Sequence, residues 1–361
     1  MIKVLNVITT GFAFNGGIST VALNYYKYLP KNQFSIDFAS YNEIDSNLKD
    51  YLKENGSLYF QLPHRKKKTL VYMYKLLKLI NNQKYDIIHI HGNSATMFFE
   101  LFPAILAGVK CRIVHVHTTQ SEYPILHNLL YPIFIRSYTV AIAVSKKAGD
   151  WLYKDKTYYI LNNAIEINKY QFKDEDRKVI RDRYHISDQL VIGNVGKFTS
   201  SKNQSFLVDI FYHYHLINPN SKLLLVGDGD CRESLEQKIL KYQLNNDIIL
   251  IGLVEDASKY YQAMDCFIFP SKYEGLGLAL IEAQASGLCC IASNTVPLET
   301  KLTNCITYEN LEAPLDNWIK RISYVKDRKT QSKNNLKRIE NEGYNIEKEV
   351  YKLINIYISN I

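Results

Sequence analysis

Two lysines and two glutamates occupy positions in this sequence where their side chains could act on a ligand. Lys197 and Lys202 follow a predicted apolar strand, in the segment Gly196–Asn203. Glu274 and Glu282 are separated by seven residues, where another predicted strand passes through a glycine-bearing turn into a helix. A lysine ammonium is a compact charge suited to phosphate oxygens, and a carboxylate accepts the hydrogen bonds of a diol. The four residues predict a site for a diphosphate joined to hydroxyl-rich groups.

Paired glycines follow the first predicted strand. Gly16 and Gly17 precede a helix that is predicted to begin near Ile18. Glycines let the backbone approach a phosphate closely, and the free amides of a helix start favour its negative charge. The alternative is an ordinary turn with Ser19 as the helix cap.

Histidines are the remaining residues with possible chemistry. His117 follows a predicted strand, in His115-Val116-His117-Thr118-Thr119. A single histidine at such a place is more often structural than functional. His89 and His91 lie on another predicted strand, and we interpret them as structural residues that face opposite sides of it.

The elements that would position these residues alternate along the chain. Short apolar, β-branched runs are separated by helix-length amphipathic segments, which is typical of parallel sheets with crossover helices. The predicted strands are 3–8, 35–39, 87–91, 111–115 and 140–144 in the first half, and 191–195, 222–226, 248–251, 266–269 and 289–292 in the second. The predicted helices include 18–29, 70–82, 206–217, 232–242 and 278–286. The polar passage 166–188 is expected to join two doubly wound units, and the stretch 347–358 is expected to pack through Val350, Leu353, Ile354 and Ile358.

Composition excludes several classes of protein. The chain has 361 residues, 47% of them hydrophobic, and no run approaches the roughly 20 apolar residues that span a bilayer. Six cysteines without CxxC spacing argue against a zinc site or a disulfide scaffold. We therefore expect a cytoplasmic protein.

The net charge is +8, and the basic excess lies in residues 1–170, with its densest cluster at His64–Lys68.

These motifs together resemble the family 4 retaining glycosyltransferases. The resemblance is carried by the Glu274 to Glu282 spacing, Gly196-Lys197 with Lys202-Asn203, Gly16-Gly17, and several weaker segments in the same order, at 87–92, 143–145, 225–229 and 269–271. It implies an α/β fold of two Rossmann-like doubly wound parallel-sheet domains that face each other across a cleft, called GT-B. The implied boundaries are 1–168 for an acceptor domain and 169–344 for a nucleotide-sugar donor domain, with a last helix at about 345–361 that packs back on the first.

The resemblance also implies roles for individual residues. Glu282 is expected to bind the donor ribose, whereas Glu274 and the amides of Gly275, Leu276, Gly277 and Leu278 face the transferred sugar. Lys197 and Lys202 are expected to hold the diphosphate, and Gly16 and Gly17 belong to the donor-binding set. Position 197 is more often arginine in the family, so lysine keeps the charge without the bidentate fork. His117 resembles the family's active-site histidine, and the family's reaction retains the anomeric configuration.

No cofactor or metal is expected, because lysines and amides supply positive charge at the leaving phosphate. Asp228 and Asp230 have the bare spacing of a metal-binding pair, but the family does not use that segment for metal. The expected partners are a UDP- or GDP-linked sugar and a glycan or lipid-linked acceptor of surface polysaccharide synthesis. A GT-B nucleotide-sugar epimerase is the enzymatic alternative.

The charge pattern leaves two further alternatives open. A nucleic-acid-binding protein would use the basic half, although no nucleic-acid motif accompanies that charge, and we expect no nucleic-acid partner. A dehydrogenase would need GxGxxG after the first strand, and the sequence lacks it there. Arg65–Lys68 and the aromatic stretch 123–135 also predict a peripheral face for the inner side of an anionic membrane, with an internal helix over the sheet as the alternative.

Overall fold

The computed structural model describes residues 1–14 and 16–361, so Asn15 of the loop after the first strand lies outside the described residues. The chain divides into two compact units. One consists of residues 1–164 with 346–361, and the other of residues 165–345. Each unit has its own parallel sheet with helices between the strands. The two doubly wound α/β domains predicted from the sequence are confirmed.

The strands of the described residues form two sheets, and every pair of neighbouring strands is parallel. In chain order the strands are β1 Ile2–Ile8, β2 Phe34–Ser40, β3 Tyr59–Gln61, β4 Ile87–Gly92, β5 Cys111–Val116, β6 Val140–Ala143, β7 Tyr159–Ile160, β8 Leu190–Val195, β9 Ser221–Val226, β10 Ile248–Gly252, β11 Cys266–Phe269, β12 Cys289–Ser293 and β13 Ile306–Glu309. The first sheet has the order β3-β2-β1-β4-β5-β6-β7, and the second has the order β10-β9-β8-β11-β12-β13. The direction of winding therefore reverses between β1 and β4 in the first unit, and between β8 and β11 in the second.

Helices connect the strands. In chain order they are α1 Gly17–Tyr28, α2 Ser46–Glu54, α3 Thr69–Gln83, α4 Phe98–Leu106, α5 Pro124–Phe134, α6 Lys146–Tyr153, α7 Asp174–Arg183, α8 Gln204–Ile217, α9 Arg232–Lys241, α10 Ser258–Ala263, α11 Leu278–Ala285, α12 Leu315–Lys320, α13 Arg328–Asn341 and α14 Ile346–Ser359. Short 3-10 helices lie at Ala95–Met97, Ile167–Tyr170 and Leu298–Thr300. Among the described residues, no helix has both the length and the apolar character needed to cross a membrane.

The central strands are buried on both faces, which explains their nearly continuous apolar sequence. In β1, Val4, Leu5, Val7 and Ile8 are fully buried. Successive side chains of a strand point to opposite faces, so such a run requires helices on both sides of the sheet. Apolar runs therefore located ten of the strands correctly.

The strands missed by the sequence analysis are short and lie at sheet edges. β3, β7 and β13 have three, two and four residues. β7 consists of Tyr159 and Ile160 alone, both exposed, and two residues are too few to show the alternation of a strand. The passage 166–188 is also more than a junction, because it forms α7 within the second unit, where Arg177 and Arg181 both pair with Asp265 at 2.6 and 2.5 Å.

The last helix belongs to the first unit, where α14 contacts α1. Val350 and Leu353 are buried, as the sequence predicts. The prediction for Ile358 is wrong, because its side chain is 52% exposed. Tyr357, one residue earlier, is buried instead and directs its hydroxyl to His89.

The basic cluster at 64–68 divides into one cation that is largely shielded from water and three that are exposed. Arg65 Nε lies 2.5 Å from Glu100 Oε1, and the Glu100 side chain is fully buried. Arg65 therefore balances an internal charge and is not part of a basic surface, which corrects the sequence-based interpretation. Lys66, Lys67 and Lys68 are exposed.

Candidate active site

The loops after β8 and β11 meet where the winding of the second sheet reverses. β8 and β11 are neighbours, with Gly193 paired to Phe267. The carboxyl ends of parallel strands lie at the same edge, and ligands of open sheets bind at such a reversal. The segment that carries Lys197 and Lys202 is therefore placed beside the segment that carries Glu274.

Lys202 and Glu274 form an ion pair across these two loops. Lys202 Nζ lies 2.6 Å from Glu274 Oε1, with side-chain exposures of 24% and 7%. The ring of Phe269 lies 5.0 Å from the same ammonium. A carboxylate so shielded from water requires a cation beside it. The lysine predicted to hold a diphosphate thus also balances the carboxylate predicted to face the sugar.

Two hydrogen bonds to backbone carbonyls hold the two loops together. Lys272 N donates to Ser201 O at 2.7 Å, and Asn203 Nδ2 donates to Pro270 O at 3.2 Å. These bonds flank Lys202 in sequence. They fix the base of its side chain relative to Glu274.

The start of α11 depends on Gly277. This residue has φ = 92° and ψ = 61°, in the left-handed region where glycine is favoured. A Cβ at this position would lie 3.1 Å from Phe269 Cε1. Among the described residues no side chain caps α11, so the first amides of this helix have no side-chain partner there. Such amides favour an anion.

Glu282 lies on α11, one turn inside the helix. Tyr261 donates its hydroxyl to Glu282 Oε2 at 2.7 Å, and Tyr170 is a second hydrogen-bond donor. Burial raises the pKa of the Glu282 carboxyl, and these hydrogen bonds oppose that rise. Two tyrosines therefore orient this carboxylate, and a carboxylate with remaining lone pairs can accept hydroxyl groups from a ligand.

Lys197 is exposed just after β8, and the backbone around it is held by the loop after β9. A Cβ on Gly227 would lie 2.1 Å from Gly196 O, and a Cβ on Gly229 would lie 2.4 Å from Phe198 O. Only glycine allows this approach of the two loops. The Asp228 carboxylate has a nearby partner of its own, because its Oδ2 accepts a hydrogen bond from Arg232 Nη1 at 3.2 Å.

In the first unit, the paired glycines lie at the start of α1. Gly16 is the N-cap residue, and among the described residues no side chain caps the helix. Ser19 Oγ instead accepts from Ala13 N and donates to Gly11 O, both at 3.2 Å. Ser19 therefore fastens the preceding loop, and the alternative that it caps the helix is wrong. A Cβ on Gly17 would have no described atom within 4 Å, so there is space at this helix start.

His117 lies just after β5 and is buried. Its Nε2 lies 3.1 Å from His91 Nδ1. The prediction that His89 and His91 face opposite sides is wrong: their rings stack with centroids 4.1 Å apart. Residues two apart on a strand share a face. Because β4 and β5 are neighbours, with His91 paired to His115, four histidines collect on one face of the sheet.

The four imidazoles are neutral at pH 7. Burial lowers the pKa of His89, His115 and His117 well below the usual range, and neighbouring histidines lower it further. Burial lowers the pKa of His91 to about 3. A neutral His117 can donate or accept a hydrogen bond at a sugar hydroxyl but brings no charge there. Its role in the reaction stays a prediction.

Two family descriptions match consecutive parts of the chain. Residues 15–166 match Glycosyltransferase Family 4, and residues 176–303 match Glycosyl transferases group 1. The chain belongs to the family 4 glycosyltransferases. The two doubly wound units are the two domains of the GT-B fold, as the sequence motifs indicated, and the chain is a glycosyltransferase.

Similar proteins include two bacterial relatives and one solved structure. EpsF of Bacillus subtilis, which is named a glycosyltransferase, is 27% identical, covering 95% of this chain and 93% of EpsF. The UDP-Gal:alpha-D-GlcNAc-diphosphoundecaprenol alpha-1,3-galactosyltransferase of Escherichia coli is also 27% identical, with the same coverage of 95% and 93%. The structure of Anabaena HepE, in complex with UDP and glucose, has a TM-score of 0.80 at 17% identity and covers 99% of this glycosyltransferase and 100% of HepE. That likeness is one of fold.

Sequence reasoning missed Tyr261 and the histidine cluster of this glycosyltransferase. Tyr261 lies on α10, and its contact with Glu282 on α11 has no local sequence signal. The histidines did have one, namely the spacing His-x-His on two consecutive strand candidates. Adjacent parallel strands with this spacing bring the rings together when their register places the histidines side by side on one face.

Proposed function

We propose that this glycosyltransferase moves a sugar from a nucleoside-diphosphate sugar to an acceptor hydroxyl with retention of anomeric configuration. The observation that most directly supports this proposal is the Lys202–Glu274 ion pair beside the uncapped start of α11. It combines a cation and open amides for a diphosphate with a carboxylate for the attached sugar. UDP is the nucleotide in the HepE complex and is the donor nucleotide that we propose first.

The charges fit the electronic demand of the reaction. Breaking the bond from sugar to diphosphate builds positive charge on the sugar and negative charge on the leaving phosphate. Lys202, Lys197 and the first-turn amides of α11 stabilise the leaving phosphate, and Glu274 faces the sugar. The acceptor hydroxyl attacks from the face that the phosphate leaves, and the phosphate helps to remove its proton. Glu282 holds the donor ribose, and its two tyrosines keep it oriented.

We also propose that transfer requires no divalent metal at the diphosphate. Lys202 lies at the strand reversal, and Asp228 is paired with Arg232. The positive charge that a magnesium or manganese ion would supply thus comes from side chains and amides. Full activity in excess chelator supports this proposal. Loss of activity that magnesium or manganese restores contradicts it.

The proposed acceptor is a lipid-linked glycan of surface polysaccharide synthesis. The E. coli relative is named for a diphosphoundecaprenol-linked acceptor. An enzyme that acts on such an acceptor must reach a membrane surface. We therefore propose a peripheral position at the inner face of the cell membrane.

An exposed face of the first unit fits this position. On α5, Ile125 is 85% and Leu129 is 72% exposed, and Ile133 continues the same stripe. Lys66 Nζ hydrogen-bonds Tyr123 Oη at 2.6 Å, next to the start of α5. The basic loop and the apolar stripe are therefore adjacent, and basic residues beside apolar ones favour anionic lipid.

The decisive experiment for the reaction is proton NMR of the first-formed product. A panel of nucleotide sugars is first scored by thermal stabilisation of the full chain, because a ligand selective for the folded state raises Tm. An α-linked donor should then give an α-linked product on a hydroxyl acceptor. A β-linked product contradicts retention. Free epimerised sugar in the absence of an acceptor favours the epimerase alternative.

A further inference from the structure

Four histidines form a buried array on one face of β4 and β5. His89 and His91 stack at 4.1 Å between ring centroids, and His115 and His117 lie 4.3 Å apart. Between the strands, His91 and His115 are 5.2 Å apart. The donor-binding residues proposed above do not include His89, His91 or His115, so the proposed reaction leaves these three without a role.

Hydrogen bonds to neighbouring side chains fix the orientation of two of these rings. Asn6 Oδ1 can only accept, so His91 Nε2, 3.1 Å away, carries the proton and Nδ1 keeps its lone pair. His89 Nδ1 lies 2.8 Å from Tyr357 Oη, and His89 Nε2 carries the lone pair in the tautomer in which Nδ1 donates to that hydroxyl. Metal-bound histidines commonly have their other nitrogen fixed by such a partner.

Several ring nitrogens have no partner within the described part of the chain. These are His89 Nε2, both nitrogens of His115, and His117 Nδ1. Because His115 makes no hydrogen bond to the described residues, it can turn without breaking one.

The cavity beside these rings has room for one small ion. His89, His91 and His115 line a cavity of about 10 Å³ together with Asn6 and Tyr357. One ligand nitrogen from each of the three histidines lies within 4.8 Å of the others. Two nitrogens on one tetrahedral zinc ion, at 2.0–2.1 Å each, are about 3.4 Å apart. Small rotations of the side chains can close that difference.

We propose that His89, His91 and His115 bind one transition-metal ion of the zinc class, with Asn6 and Tyr357 orienting two of the ligands. Three neutral imidazoles suit zinc, cobalt or nickel, whereas magnesium and calcium require oxygen ligands. Metal binding replaces the 3.1 Å hydrogen bond between His117 Nε2 and His91 Nδ1, and His117 can then fill a fourth position. The ion stabilises the first unit and is separate from the diphosphate chemistry, which uses residues of the second.

The test is titration of the full chain, freed of metal by chelation and dialysis, with cobalt(II). We expect one cobalt ion per chain with the visible absorption of a tetrahedral nitrogen site, its displacement by zinc, and a rise in Tm on addition of zinc. His115→Phe is the variant of choice. It removes a ligand, keeps an aromatic ring in the stack and breaks no hydrogen bond seen among the described residues. It should weaken cobalt binding by about a hundredfold or more, with metal-free Tm close to that of the original chain.

His213→Phe is the matched control, because His213 is an exposed histidine outside the cluster. It should leave cobalt binding unchanged. The proposal is overturned if the original chain gives no tetrahedral absorption, or if His115→Phe binds cobalt as tightly as the original chain does. Should His115→Phe fail to fold, the spectrum and stoichiometry of the original chain still decide. None of these measurements needs a sugar donor, so they are independent of the proposed transfer activity.

Discussion

Replacing Glu274 with glutamine removes the charge that pairs with Lys202 and nearly preserves the shape of the side chain. In the ligand-free protein, Glu274 Oε1 lies 2.6 Å from Lys202 Nζ. A bound diphosphate must share that ammonium with the carboxylate. If the proposed roles hold, Glu274→Gln frees Lys202 for the diphosphate and removes the charge proposed to face the sugar. Turnover and nucleotide affinity should respond in opposite directions.

The size of the effect follows from the burial of the pair. Exposed ion pairs contribute about 0–1 kcal/mol, and loss of one partner from a fully buried pair costs about 3–5 kcal/mol. Exposures of 24% and 7% place Lys202 and Glu274 between these limits. Competition for the ammonium then lowers UDP affinity by about 1–1.5 kcal/mol, so Glu274→Gln should bind UDP up to about tenfold more tightly. Turnover should fall on the order of a hundredfold, as for the loss of one electrostatic contact made in the transition state.

Calorimetry with UDP and initial rates at saturating donor measure the two quantities. Glu255→Gln is the matched control, because Glu255 is an exposed glutamate of the same unit, and it should change neither. UDP binding that weakens as much as in a Lys202 variant would refute the reasoning, because Glu274 would then contribute to diphosphate binding. Unchanged turnover would refute the role at the sugar.

The remaining predictions address the other parts of the molecule. Lys202→Ala should lose about 1.5–3 kcal/mol of UDP affinity, or tenfold to a hundredfold, while the chain stays folded; unchanged affinity by calorimetry contradicts the assignment. Glu282→Ala should weaken binding of the whole donor and of free UDP alike, unlike Glu274→Gln, because Glu282 is proposed to bind the ribose. Gly229→Ala should lower the free energy of unfolding, measured by chemical denaturation, by about 1–3 kcal/mol, because its Cβ would lie 2.4 Å from Phe198 O. Gly17→Ala is the control and should leave the free energy of unfolding unchanged, because its Cβ would have no described atom within 4 Å. Removing the charges of Lys67 and Lys68 together should weaken flotation with anionic vesicles by about 2 kcal/mol. Removing the charges of the exposed Lys49 and Lys53 of α2 should leave flotation unchanged. Equal flotation of the original chain with neutral and with anionic vesicles would contradict the proposed membrane face.

The sequence alone determined the two sheets and indicated the candidate site residues. Strands such as β1 and β8 are buried on both faces, so their apolar runs are visible without any knowledge of partners. Functional residues of an open parallel sheet commonly follow the strands directly, which made Lys197, Lys202 and Glu274 candidates before the strand order was known. Gly277 was also recognisable in the sequence as a turn residue before a helix, because glycine is favoured where the backbone adopts a left-handed conformation.

Only the tertiary structure decided which of these residues meet. Lys202 and Glu274 are 72 positions apart, and their ion pair depends on β8 and β11 being neighbours, which follows from the winding of the sheet and not from any local pattern. Arg65 belongs to an exposed basic run in sequence, yet its charge is balanced inside by Glu100. The histidine array likewise requires β4 beside β5 in a register that pairs His91 with His115. Propensity and periodicity act over a few residues, whereas charge pairing and ring stacking depend on distances that the fold alone sets.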